Sequence, residues 1–190
     1  MTNNTIDIML AHRSIRSFTD RTVSDENLDA IIRAVQAAPN WVNLQLVSMI
    51  VIREAERRKL FADLCGHQPH IAEAPVFLIF CADYYRIALA CKAKGQTLDE
   101  VMQDIDTLLV GAHEVGIGDV RKNAKEVIRE LQLPKYVFPM LGLCIGYPAN
   151  DPGLKPRFQK EAICFEETYN THLEKHLAEY DKPYSQYLLK

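Results

Sequence analysis

The stretch Pro75-Val76-Phe77-Leu78-Ile79-Phe80-Cys81-Ala82 carries no charged side chain. A strand-length run that is apolar at every position has no face to give to water, so it reads as a strand buried on both sides. Two further runs supply sheet neighbours. Val47 to Ile52 is rich in β-branched residues, and Val137 to Gly146 reads as a third buried strand. Everything else must fold around this small sheet.

The intervening segments read as helices. Ile6, Ile8, Met9 and Leu10 suggest a short first helix that ends near His12. Ser24 is placed as an N-cap before the acidic turn Asp25-Glu26, and Leu28, Ile31, Ile32 and Val35 follow at helical spacing until Pro39. Glu54 to Leu64 and Tyr84 to Lys94 are expected helices. Thr97 to Glu100 resembles a capping box that opens another, through about Ala112. Gly66 to His70 reads as a loop and Gly116 to Gly118 as a turn. Asn123 reads as the cap of a short helix through Leu131, and the stretch after Glu166 as a polar, partly helical tail. With no internal repeat and three clear strands among helices, the pattern is α+β or α/β with a small sheet, and residues 1–190 are expected to form a single domain.

Composition narrows the function. The formal net charge is −3, so no global basic field favours nucleic acid or an anionic membrane surface. No apolar run reaches the roughly 18 residues of a membrane span, and the N-terminal residues do not resemble a signal peptide. The five cysteines, Cys65, Cys81, Cys91, Cys144 and Cys164, are odd in number and mostly set in apolar surroundings. That suggests reduced thiols and a cytoplasmic location. Any anion this chain binds must be held by a local cluster of cations.

His12-Arg13-Ser14-Ile15-Arg16 can supply one. Two guanidinium groups three residues apart, with a hydroxyl between them, can converge on an anion, and arginine pairs two oxygens at once. Taken alone, the motif also fits two surface arginines at a helix end. Leu154-Lys155-Pro156-Arg157 offers a second pair of cations on a stiffened loop, or simply an exposed loop. Asn40, Asn43 and Gln45 precede the first strand; their amides suit the edge of a planar heterocycle, though turn chemistry after a proline-terminated helix is the better account of each taken singly. Gly116-Ile117-Gly118-Asp119 allows close backbone approach to a ligand, without a dinucleotide or Walker fingerprint. Cys65, His67 and His70 have metal-like spacing but lack an evident fourth ligand, so no metal is expected. No nucleophile elbow or carboxylate pair stands out, so no catalytic side chain is assigned.

In order along the chain, these segments resemble the nitroreductase family, in particular its larger NADPH-dependent flavin reductase and oxygen-insensitive nitroreductase branch. The matching segments are His12 to Phe18, Ala37 to Gln45, Gly66 to His70, Phe80 to Asp83, Ile117 to Asn123, Leu131 to Ala149 and Leu154 to Arg157. Asn40 and Trp41 stand where the family usually carries serines. The resemblance implies an α+β nitroreductase fold, with a small mixed, mostly antiparallel central sheet flanked by helices, in a homodimer. It implies FMN as cofactor and NADPH or NADH as electron donor, with ping-pong hydride transfer to FMN and then reduction of nitroaromatic, quinone, azo or free flavin acceptors. His12, Arg13, Ser14, Arg16, Lys155 and Arg157 would hold the phosphate and ribityl chain. Asn40, Asn43, Gln68, Ile117, Gly118 and Asp119 would address the ring. The cofactor carries the chemistry, which fits the lack of an acid–base pair. A flavin- or nucleotide-phosphate-binding protein without turnover is the alternative. The chain departs from the family pattern in a shortened stretch after Ala112, where a core helix is expected, and in lacking a C-terminal arm after Lys190.

Overall fold

The computed structural model describes residues 3–38, 44–98 and 118–189. The helix expected through Ala112 and the site residues Asn40, Asn43 and Ile117 lie outside them. The chain divides into two compact units, residues 16–149 and residues 1–15 with 150–190.

In the larger unit, three strands form one sheet in the order β1-β2-β3: β1 is Val47–Ile52, β2 Val76–Asp83 and β3 Val137–Ile145. Both pairings are antiparallel, so the described sheet is not mixed as the family pattern led us to expect. β2 lies in the centre, and its apolar sequence suits burial on both faces. Side chains alternate between faces every second residue. Phe77, Ile79 and Cys81 enter one core cluster with Phe61, Ile71, Val120 and Val127. Val76 and Leu78 enter a second cluster, with Val23 and Leu28. Full burial of a side chain of this size contributes about 2 kcal/mol, so two dry faces make β2 the anchor of the unit.

Helices cover both faces. α2 (Asp25–Gln36) sends Leu28 to the second cluster, and its cap is as expected, with Ser24 Oγ accepting from Asn27 N at 3.2 Å. α3 (Ala55–Leu64) brings Phe61 and Ala62 to the first cluster, joined by Ile71 of α4 (Pro69–Glu73) and Val127 of α6 (Ala124–Glu130). Between α4 and α6 runs α5 (Tyr85–Ala93), which buries Cys91 beside Tyr84 and Leu98.

Three local expectations are corrected. Gly66 to His70 is not all loop, because Pro69 opens α4. A proline suits the first helical position, where its missing N–H would be unpartnered anyway. Asn123 precedes α6 without capping it: its amide donates instead to Leu64 O at 2.6 Å, tying α6 to the end of α3. β3 is not a fully buried strand. Among the described residues it pairs with β2 alone, and Phe138 and Leu143 are exposed; a place at the edge of the described sheet also suits Pro139.

In the smaller unit, α1 (Asn4–Leu10) is capped by Asn3 Oδ1, which accepts from Ile6 N at 3.0 Å, and α7 spans Glu174–Leu188. Tyr180 of α7 stacks on Phe158 with ring centroids 4.1 Å apart, and on Tyr184 at 5.4 Å. Among the described residues, no helix is long and apolar enough to cross a membrane.

Candidate functional site

The expected site residues fall in both units, and each group is described separately. In the larger unit they gather where α3 gives way to α4. The chain leaves α3 through two left-handed residues, Gly66 at φ +82° and His67 at φ +57°. Gln68 N then donates to Ala62 O at 2.9 Å, which holds Gln68 against the end of α3 as α4 begins. Its half-buried side chain reaches across 51 residues of sequence to Asp119, with Nε2 donating to Oδ2 at 2.9 Å. The same carboxylate oxygen lies 3.1 Å from Lys122 Nζ.

Asp119 and Lys122 are placed by a 3-10 turn over Gly118–Arg121 that buries Val120 in the core. Arg121 folds back over Gly118, donating from Nε to its carbonyl at 3.3 Å; a Cβ on Gly118 would lie 3.1 Å from the guanidinium. Glycine leaves room for that closure.

Arg16 belongs to the same unit. Burial holds the His70 imidazole below its ordinary pKa; the Arg16 guanidinium adds to this, and Glu73 opposes it. The unit thus gathers Gln68, Gly118 and Asp119 around one turn, while the field of Arg16 reaches His70, two residues beyond Gln68.

The segment that enters β1 is firmly held. Arg86 donates to Val47 O at 3.1 Å and also to the carbonyl of Gln45, whose backbone is left-handed at φ +52°. Buried Asp83 accepts from Ser48 Oγ and from Tyr85 N at 3.0 Å, and Arg86 lies 3.7 Å away, so this buried carboxylate is satisfied.

In the smaller unit, His12 and Arg13 are exposed and Ser14 is half-buried. Arg13 donates from Nη1 to Ala11 O at 3.0 Å and from Nε to Asp151 Oδ1 at 2.8 Å. Asp151 Oδ1 also accepts from Gly153 N at 2.9 Å, closing the turn that leads to Lys155 and Arg157. The exposed Arg13–Asp151 pair contributes little to stability; its effect is to attach the Arg13 segment to the loop that carries the other two cations.

Cys65, His67 and His70 do not converge. Cys65 is fully buried with its thiol pushed up to about 12, mainly by burial. His70 is also buried, whereas the His67 side chain stands in solvent beside Asp63 at 3.2 Å. Among the described residues, no three His, Cys, Asp or Glu side chains gather as a metal site.

Lys122, which the sequence analysis placed only within the Ile117 to Asn123 segment, is brought to the Asp119 carboxylate that Gln68 also reaches. Its signal was available: an Asp and a Lys three apart in a helical turn face each other.

The donor set suits a ligand with an anionic end and a planar polar ring. Within the smaller unit the Arg13 segment and its loop suit an anionic end; within the larger unit the Gln68 amide, held by Asp119, suits a planar polar ring. Comparison with known proteins points the same way. Residues 9–146 match the Nitroreductase family. The chain is 41% identical to a Bacillus subtilis (strain 168) protein named FMN reductase (NAD(P)H), over 99% of this chain and 84% of that protein. It is 38% identical to the oxygen-insensitive NADPH nitroreductase of Salmonella typhimurium, over 97% of this chain and 82% of that one. Among solved structures, Bacillus megaterium NfrA2 superposes with a TM-score of 0.91 at 36% identity, covering 98% of this chain and 83% of its own. The B. subtilis alignment runs over 209 positions against a chain of 190 residues, so part of that relative faces gaps here. The shortened stretch after Ala112 is the expected place for them, and it lies outside the described residues.

Proposed function

This chain belongs to the nitroreductase family, and on that ground we propose that it is an FMN-dependent NAD(P)H oxidoreductase, with residues 1–190 acting as one FMN-binding domain. Bound FMN would supply the hydride-accepting and electron-donating chemistry between NADPH or NADH and a small aromatic acceptor such as a nitroaromatic, a quinone, an azo compound or free flavin. The contact between Gln68 and Asp119 carries the reading, because it joins two segments far apart in sequence that were both expected to face the ring.

The chain's own residues bind and orient. His12, Arg13, Ser14, Arg16, Lys155 and Arg157 hold the phosphate and ribityl chain; the guanidinium forks and the ammonium supply charge-assisted hydrogen bonds that a protein with net charge −3 must concentrate locally. Asn40, Asn43, Gln68, Ile117, Gly118 and Asp119 address the ring. The reaction requires no side-chain acid or base, and none is assigned.

A second copy of this chain is the proposed partner. Ile8, Met9 and Leu10 of α1 are 66%, 71% and 70% exposed, and Leu177 and Leu188 of α7 are exposed as well. Apolar surface of this density marks an interface. Sedimentation of the purified protein as a dimer is expected. The exposed Cys164 and four other unpaired thiols support a reducing, cytoplasmic location.

The test is spectroscopic. Purified protein should take up FMN and show flavin absorbance, which NADPH or NADH should bleach and a quinone or nitro acceptor should restore. Failure to bind FMN would overturn the reading. Binding without bleaching by either nucleotide would overturn the oxidoreductase assignment.

A further inference from the structure

The two ends of a glutamine amide are almost the same shape but opposite in chemistry: the nitrogen donates and the oxygen accepts. Beside a heterocycle of alternating donors and acceptors, the orientation of that amide decides whether a contact attracts or repels. Asp119 removes the ambiguity for Gln68. A carboxylate offers only acceptors, so the end of Gln68 that sits 2.9 Å from Asp119 Oδ2 is the nitrogen. The oxygen is turned away from the carboxylate.

The rest of the arrangement steadies this orientation. The root of Gln68 is held by its backbone bond to Ala62 O at 2.9 Å. Lys122 brings its ammonium to the same Asp119 oxygen at 3.1 Å. Gly66 provides the space for that lysine: a Cβ at this position would lie 3.0 Å from Lys122 Nζ and 3.2 Å from its Cδ, and the backbone is left-handed at φ +82°. Asp119 in turn rides on a turn anchored by fully buried Val120. The amide is therefore fixed at its root by the end of α3 and at its tip by a carboxylate on a turn anchored in the core.

We propose that Asp119 is a positioning residue that acts through Gln68: with Lys122 it latches the amide so that the carbonyl oxygen is the end offered to the isoalloxazine ring of FMN. This rests on the flavin reading above and refines it, since Asp119 then works behind the glutamine rather than on the ring itself. An acceptor held toward the ring meets ring N–H groups. The set of ring N–H groups changes with oxidation state, so the latch couples the orientation of Gln68 to the midpoint potential.

The experiment is a double-mutant cycle on FMN affinity. Wild type, Asp119→Asn, Gln68→Ala and the double variant are titrated as apoprotein with FMN by fluorescence quenching, and the midpoint potential of each loaded protein is measured against reference dyes. Asparagine keeps the size of Asp119 but presents both donors and acceptors, so it no longer selects one amide orientation. Asp119→Asn and Gln68→Ala should each weaken FMN binding by about tenfold, the order of one hydrogen bond. The double variant should bind no more weakly than Gln68→Ala alone. Asp119→Asn should also change the potential, by an amount that differs between the wild-type and Gln68→Ala backgrounds. Lys122→Gln should give a smaller loss that vanishes in the Gln68→Ala background, which keeps the test decisive if Asp119→Asn folds poorly.

Additive losses in the double variant would overturn the latch, as would an Asp119→Asn protein with wild-type affinity and potential. If wild type binds FMN and Gln68→Ala binds it equally well, the inference falls and the flavin reading stands. If wild type binds no FMN, both fall.

Discussion

The ring of Phe77 occupies the space that a side chain at Gly142 would fill. The two residues belong to paired strands, β2 and β3, and a Cβ on Gly142 would also come within 3.2 Å of Val120 Cγ1. Phe77 and Val120 are both fully buried, so neither can swing aside into solvent. Gly142→Ala therefore overpacks the larger core cluster. The expected cost is about 1–3 kcal/mol, seen as a fall in melting temperature of roughly 2–4 °C per kcal/mol for a chain of this size. A variant that melts with wild type would show that the core has slack here.

The phosphate clamp makes a separable prediction. Arg16→Ala should raise the FMN dissociation constant by about thirtyfold, which corresponds to roughly 2 kcal/mol for a charge-assisted contact. Arg13→Ala and Lys155→Ala should shift it in the same direction. Isothermal titration with FMN and with riboflavin, which lacks the phosphate, checks the cause: the losses should largely disappear with riboflavin. Equal losses with both ligands would place these cations elsewhere.

Thiol chemistry should divide the cysteines sharply. The Cys65 and Cys144 thiols are pushed up to about 12 and that of Cys81 to about 11, in each case chiefly by burial. Thiolate is the reactive form, so these three should resist alkylation at mildly alkaline pH. Cys164 is exposed. Iodoacetamide followed by peptide mass spectrometry should label Cys164 in the native protein, and Cys65, Cys81 and Cys144 only after unfolding. Rapid native labelling of Cys65 would contradict its position in the core.

His70 sets a pH limit on stability. Its imidazole is held below the ordinary value of 6.5 by burial, with Arg16 adding to the effect and Glu73 opposing it. The unfolded chain therefore takes up a proton on this residue more readily than the folded one. The stability this contributes is present in full above about pH 6.5 and declines as pH falls through that value toward the lower folded-state value. Urea midpoints measured from pH 7.5 down to pH 5 should fall, and His70→Asn, which cannot charge, should flatten that decline. An unchanged slope in the variant would assign the acid sensitivity to other groups.

Much of this was legible from residues that act locally. The unbroken apolar run of β2 leaves no face for water, so its burial on both faces follows from composition, whereas its central place in the sheet does not. Ser24 caps α2 because its hydroxyl lies within three residues of the amide it serves. The ordered segments from His12 to Arg157 carried the resemblance to the family, and the resemblance carried the cofactor. What only the tertiary structure decided are the contacts between distant segments. Asn123 looked like a cap by the same local rule as Ser24, but it sits beside the end of α3 and donates to Leu64 instead. Val137 to Ile145 is apolar enough for a buried strand, yet its place at the edge of the described sheet leaves Phe138 and Leu143 exposed. Gln68 and Asp119 are 51 residues apart, and no propensity or spacing links them. They meet because Ile71 and Val120, their neighbours in the chain, bury themselves in one core cluster. Hydrophobic burial has no direction of its own; packing decides which polar side chains come to face each other at its border.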